Sequence, residues 1–239
     1  MTAGRFGFRT VVAGFLMVAG AGVLSLEAAE VRALIWKTMP DTRYFIGTGE
    51  RLVPIQPISP QYKSGLFAVP ETGNTPLQLF EQPPGAEAPL PVETLAVNEV
   101  RLPLILILPG GSFPGVTRTR AVVLEDDQSA FPFGAYHFAN LTRQELFVEL
   151  GDARQRIGGG EHKMIRPDED DLSNMGIRIA YREQEGARFV ASSIVLHRPD
   201  NRSLLLFYPD DGPRGPTIRF KAVSEFVSEF ERTVASARD

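Results

Sequence analysis

Apolar residues along most of this chain fall in short runs cut by Gly, Pro and Asp. The runs cover residues 31–37 (VRALIWK), 51–56, 65–69, 77–81, 102–108 (LPLILIL), 121–124, 135–140, 146–150, 176–182, 189–196, 203–208 and 217–222. They are of two kinds. In 177–182, Ile177, Ile179 and Tyr181 share one face opposite Arg178 and Arg182, the period of a strand with one buried and one wet side. Residues 102–108 are apolar without interruption, as in a central strand buried on both faces. Gly186 marks a hairpin turn into the 189–196 run, and Pro199-Asp200-Asn201 marks a second one before the 203–208 run. Many short strands with turn residues between them predict an all-β fold of mainly antiparallel β-sandwich units.

The pattern changes at both ends. Val223, Phe226, Val227, Phe230 and Val234 recur at helical spacing, with Glu225, Ser228, Glu229 and Arg232 on the other side, so a C-terminal amphipathic helix is expected to close one end of the sandwich. A membrane-surface helix is the alternative, but its polar side is acidic where an anionic bilayer favours Lys and Arg. At the N-terminus, Arg5 and Arg9 precede an uncharged apolar run over 11–26 and a small-residue region over 25–29. That order predicts a secretory signal peptide over 1–29, forming a signal helix, with cleavage near Ala28 or Ala29. The run is shorter than the roughly 20 residues of a spanning helix. Neither cleavage frame has small residues at both expected positions, so an uncleaved anchor is the alternative.

Twelve of the 19 prolines lie between Pro54 and Pro114, which makes the strands there short or edge-like. Residues 82–91 (QPPGAEAPLP) read as an extended polyproline-type connection. The 109–115 loop (PGGSFPG) is the expected boundary, giving a first β-unit at 30–110 and a second at 111–239 that includes the closing helix. No fixed-period repeat is visible.

Composition narrows the setting. The chain carries net charge −4; the leader's Arg5, Arg9 and Glu27 contribute +1, leaving −5 for the rest. No basic patch is evident, which argues against a nucleic-acid partner. There is no cysteine, so a thiol nucleophile, cysteine-ligated zinc and a disulfide framework are excluded. The expected compartment is periplasmic or extracellular.

Candidate chemistry is sparse. Ser112 follows an apolar strand, but Pro114 breaks the G-x-S-x-G spacing of a nucleophile elbow. Gly158-Gly159-Gly160 lacks the context of a dinucleotide site and reads as a hairpin loop. Asp168, Asp170 and Asp171 are weak candidates for a calcium loop, although Leu172 breaks the EF-hand order. His137, His162 and His197 are too scattered to argue a metal site, and His137 is expected to point away from the face of Tyr136 and Phe138. Asn140-Leu141-Thr142 matches a glycosylation sequon and reads more simply as a strand end followed by a turn. Trp36, Tyr44, Tyr62 and Phe67 would serve a sugar-binding face if two or more were coplanar and exposed.

From residue 102 onward the chain resembles a group of uncharacterised exported β-rich proteins of environmental bacteria. The matching pieces are the 102–108 strand entering a Pro-Gly loop, Gly134-x-Tyr-x-Phe-x-Asn140 with 146–151 behind it, Ser203-Leu-Leu-Leu-Phe-Tyr-Pro209, and Ile218-Arg-Phe-Lys-Ala222. The resemblance implies export and an all-β fold, and no activity, ligand or catalytic residue. The expectation is therefore an exported, non-catalytic β-sandwich protein in a binding or cell-envelope role, without a cofactor. Its partner would be a protein or polysaccharide of the envelope, with membrane contact only if the leader stays uncleaved. An envelope hydrolase and a carbohydrate-binding module are the alternatives.

Overall fold

A computed structural model describes residues 29–236 apart from 50, 56–58, 70–74, 98–99, 169–170, 184–185 and 213–214. Of the expected signal peptide over 1–29, residues 1–28 lie outside the described residues, and Ala29 begins the first strand.

The first eight strands are β1 (Ala29–Ile35), β2 (Arg43–Gly47), β3 (Leu52–Pro54), β4 (Phe67–Val69), β5 (Leu77–Gln82), β6 (Leu90–Leu95), β7 (Pro103–Leu108) and β8 (Arg120–Glu125). The second eight are β9 (Tyr136–Asn140), β10 (Leu146–Leu150), β11 (Ala153–Ile157), β12 (His162–Ile165), β13 (Ser173–Glu183), β14 (Gly186–His197), β15 (Asn201–Gly212) and β16 (Gly215–Phe226), followed by α1 (Val227–Ser236). They form four four-stranded sheets in the orders β3-β2-β5-β6, β4-β1-β7-β8, β12-β9-β15-β16 and β11-β10-β13-β14.

Three apolar clusters stack these sheets as four layers. Ile46, Leu77 and Leu79 of the first sheet meet Val31, Ala33, Ile105 and Ile107 of the second. The opposite face of the second sheet, with Leu34, Leu104, Leu106 and Leu108, packs on Ala139, Leu204, Leu206 and Val223 of the third. The third sheet's other face, with Phe138, Leu205 and Phe207, packs on Val148, Ile177 and Ile179 of the fourth. The two inner sheets are thus buried on both faces, and their central pairs, β1–β7 and β9–β15, are parallel. This explains the two sequence patterns: every residue of β7 is buried, whereas β13 alternates strictly from Met175 to Tyr181 between buried and more exposed positions.

The halves repeat one topology. Adding eight to each strand number converts the first two sheets into the last two, with the same order and the same parallel and antiparallel pairings. The β-bulge recurs as well. The register shifts between Leu79 and Phe80 in the β5–β6 pair and between Ile179 and Ala180 in β13–β14. Topology repeats although no sequence period does, because a sheet constrains the alternation of polarity far more tightly than residue identity.

Several connections differ from expectation. The 109–115 loop lies inside the β7–β8 hairpin, and the chain leaves that sheet only after Glu125. Residues 83–89 join β5 to β6 as a tight loop, with the Ala86 N–H donating to Pro83 O at 3.2 Å, instead of an extended connection. Gly158-Gly159-Gly160 does not close a hairpin: β11 and β12 belong to different sheets. A Cβ on Gly159 would sit 2.7 Å from the Arg143 backbone, so the corner requires glycine. The turn at Pro199 likewise carries the chain between sheets, from β14 to β15. Hairpins and sandwich corners use the same turn residues, so turn chemistry alone does not tell them apart. The helix is shorter than its stripe, since Val223 and Phe226 belong to β16 and α1 starts at Val227.

Candidate functional site

Three features compete as functional sites. The first is an ionic cluster at one end of the central interface. Arg32 from β1, Lys63 from the loop before β4, and Arg202 from β15 meet Asp126, just after β8, and Glu225 of β16. Their side chains are at most 7 % exposed. Arg32 bonds Asp126 at 2.8 Å and Glu225 at 2.6 Å. Lys63 bonds the same two carboxylates at 2.5 and 3.1 Å. Arg202 donates to Glu225 at 2.6 Å and to the carbonyls of Asp126 and Phe131 at 2.9 Å each.

Three rings enclose the Arg202 guanidinium, Phe131, Phe133 and Phe230, with centroids at 5.0, 5.1 and 4.7 Å. The carboxylates hold equivalent places in the repeat. The Asp126 N–H bonds Leu102 O ahead of β7, while Glu225 pairs with Arg202 in β15. Burial works to raise the Glu225 pKa, yet Lys63, Arg32 and Arg202 hold it down at about 2. Burial lowers the Lys63 pKa. Every charge here has partners within the protein, so the cluster joins the halves, and Arg32, Lys63 and Glu225 also line a cleft of about 360 Å³ beside α1.

The second feature is a cleft of about 650 Å³ between the halves, bounded by Phe113, Val116, Leu141, Tyr181, Pro209 and Ile218. Among the described residues no histidine or carboxylate lines it. The third is the outer face of the β11-β10-β13-β14 sheet. Strand registers place two rows across it, Arg156–Phe147–Ala180–Phe189 and Arg154–Glu149–Arg178–Ser192. Exposed Ile194, opposite Gly176, and Leu196, opposite Asn174, continue the face. Ala180 floors a trough of about 490 Å³ between Phe147 and Phe189. The backbones of those two residues lie two strand spacings apart, about 10 Å. Arg154, Arg156, Arg178 and Arg182 are exposed. Glu149 is the one carboxylate in the two rows, paired with Arg154 at 2.8 Å and Arg178 at 3.6 Å. Phe189, Ile194 and Leu196 are 64, 71 and 54 % exposed. A face of guanidinium groups beside the exposed Phe189 ring, with Arg156 lying over the half-buried Phe147 ring at 5.4 Å, can take a ligand that offers both carboxylates and apolar surface.

The sequence-predicted residues lie elsewhere. Ser112 sits in the β7–β8 loop with its hydroxyl donating to Pro109 O at 2.6 Å, as in a turn. His137 does turn away from Tyr136 and Phe138. It lies buried at the central interface with its Nε2 3.0 Å from His162 Nδ1. Burial, reinforced by His162 and Lys63, pulls its pKa down to about 4. His197 is buried beside Tyr136. Asp168 and Asp171 lie within the β12–β13 connection, and Asp170 lies outside the described residues. Among the described residues no three His, Asp or Glu side chains gather as a metal site. Of Trp36, Tyr44, Tyr62 and Phe67 only Tyr62 is exposed, so they form no shared platform. Asn140 ends β9 fully bonded, its amide donating to Gln144, Ile157 and Gly158 carbonyls and its oxygen accepting from Thr142.

Sequence reasoning saw Arg178 and Arg182 as the wet side of a strand. It missed the arginines of β11, whose alternation with Gln155 carries no apolar signal.

No protein-family model and no curated protein matches the chain. Among solved structures it is similar to the two tandem C2 domains of extended synaptotagmin 2. There the identity is 9 %, the TM-score 0.24, and 92 % of this chain and 98 % of that one are covered. A longer chain of the same protein, with its SMP domain, matches at 12 % identity and TM-score 0.22, covering 80 % and 51 %. At these scores neither likeness carries an inference about this chain.

Proposed function

We propose that this chain is an exported, non-catalytic β-sandwich protein that holds an acidic polysaccharide of the cell envelope on the outer face of the β11-β10-β13-β14 sheet. The tripartite pattern of residues 1–29 supports export. The observation that carries the binding role is the pair of rows Arg156–Phe147–Ala180–Phe189 and Arg154–Glu149–Arg178–Ser192. Sugar rings offer apolar faces to the exposed Phe189, and uronate carboxylates match the planar guanidinium fork. On a chain of net charge −4, this is a local concentration of positive charge on a rigid sheet.

Calorimetric titration of the exported form with polygalacturonate and with neutral dextran tests the reading. Binding of the acidic polymer alone is expected, weakened by added salt and removed by the double change Arg156→Glu and Arg178→Glu. Equal binding of both polymers overturns the electrostatic part. Binding of neither, or robust turnover of ester or glycoside substrates, overturns the function itself.

A further inference from the structure

An edge strand with unpaired N–H and C=O groups is a template for another strand, and proteins blunt such edges with proline, charge, shortness or bulges. Most edges of this fold are blunted in this way. β3 and β4 are three residues long, and β3 ends in Pro54. β6 contains Pro91 and Glu93; β8 begins at Arg120 and ends at Glu125. Arg154 and Arg156 lie on β11, Lys163 on β12, and Arg219, Lys221 and Glu225 on β16.

β14 is different. It is twelve residues long, borders the fourth sheet, and reads FVASSIVL from Phe189 to Leu196 with neither charge nor proline. Its bulge falls at Val190, near one end, so Ala191 to His197 pair regularly with β13. Ser192, Ser193, Ile194 and Leu196 along this stretch are exposed. The equivalent edge of the first half, β6, has six residues and carries both proline and charge. Of two edges with one topology, then, only the second is left fit for pairing.

We propose that β14 pairs antiparallel with β14 of a second copy of this chain, about a two-fold axis near Ser192 and Ser193, joining two fourth sheets into one of eight strands. An antiparallel strand is complementary to itself under a two-fold rotation, so one uncharged edge supplies both sides of the seam. No like charges meet between Phe189 and Leu196, and the exposed Ile194 and Leu196 side chains gain neighbours from the other copy. The arginine rows stay open on the outer face and are doubled, although the pairing itself does not depend on what those rows bind.

The absence of native cysteine gives a direct test. Across an antiparallel pair the Cα atoms are about 5 Å apart, within the reach of a disulfide. With the exported form, Ser192→Cys and Ser193→Cys are made separately, and Gln155→Cys on β11 serves as the control. Expected is a covalent dimer from at least one of the serine variants under mild oxidation, with Gln155→Cys remaining monomeric. Sedimentation of the unmodified protein should give a dimer mass, and Ile194→Lys should return it to a monomer that keeps the native circular dichroism spectrum, with a melting temperature that no longer depends on protein concentration. If Ile194→Lys proves misfolded, Ser192→Lys serves in its place. A monomer throughout the accessible concentration range, with cross-linking no greater than the Gln155→Cys control, overturns the proposal.

Discussion

The outer sheets of the two halves share strand order, pairing and bulge, yet their solvent faces differ row by row. In the first half the register aligns Pro54–Phe45–Phe80–Pro91, and in the second Arg156–Phe147–Ala180–Phe189. Phe80 fills its row and is 5 % exposed, while small Ala180 leaves a trough beside a largely exposed Phe189. The neighbouring rows are Leu52–Gly47–Gln78–Thr94 and Arg154–Glu149–Arg178–Ser192. One face is short-stranded, uncharged in these rows and filled by its own residues. The other is long-stranded, charged and open. Because topology is held constant, the difference does not arise from the needs of the fold, and it is the reason the proposed binding role is put on the second half.

The comparison also separates two fates of arginine. Arg202 is enclosed by carboxylates, carbonyls and rings, whereas Arg178 has one partially exposed carboxylate at 3.6 Å. The largest expected effect follows from this contrast. Arg202→Ala leaves Asp126 and Glu225 buried with fewer partners and should cost about 3–5 kcal/mol. Arg178→Ala should stay within about 0.5 kcal/mol. Urea unfolding of both variants measures the gap, and equal losses would erase the distinction between buried and exposed arginines.

Acid should loosen the central interface next. The unfolded chain protonates His137 near its ordinary value of about 6.5, while the folded chain resists until about 4. Stability is therefore intact above pH 6.5 and falls by about 3 kcal/mol as pH drops towards 4. Glu225, held ionised down to about 2, adds a second loss between pH 4.5 and 2. Thermal melts against pH should show the first limb, and His137→Phe should flatten it. A limb that persists in that variant would assign the acid sensitivity elsewhere.

Losses smaller than those at Arg202 and His137 belong to the helix. Phe230 is half-buried over Arg202 and edge-on to Phe133 at 6.0 Å, so it covers the ionic cluster instead of plugging an open sandwich. Phe230→Ala should cost about 2 kcal/mol, between the loss of a cation–ring contact and that of a core aromatic. Glu229, on the polar side of the stripe, accepts the Phe226 N–H at 3.0 Å as half of a capping box. Glu229→Ala should therefore cost about 0.5–1 kcal/mol. Melting curves of the two variants rank them, and a larger loss from Glu229→Ala would mean that the helix is held by its cap more than by its packing.

Most strands, and the depth at which each layer lies, are legible in the order of residues alone. The uninterrupted apolar run of β7 and the alternation of β13 record whether one or both sheet faces meet a neighbour, because burial of each face acts on every second residue. Strands β2, β11 and β12 escape such a reading, since their polar or mixed residues carry no clear period, and so does most of β6, whose start is masked by Pro89 and Pro91. Arg32, Lys63, Asp126, Arg202 and Glu225 stand far apart along the chain without a motif. It took the packed fold to show that two copies of one topology meet through a shared core and enclose those five charges. The same holds for the open face, since arginines on different strands form one surface only when sheet register lines them up. Periodicity is a local consequence of burial and can be read from neighbouring residues. Charge pairing and cross-strand rows depend on which distant segments meet, and that follows from packing.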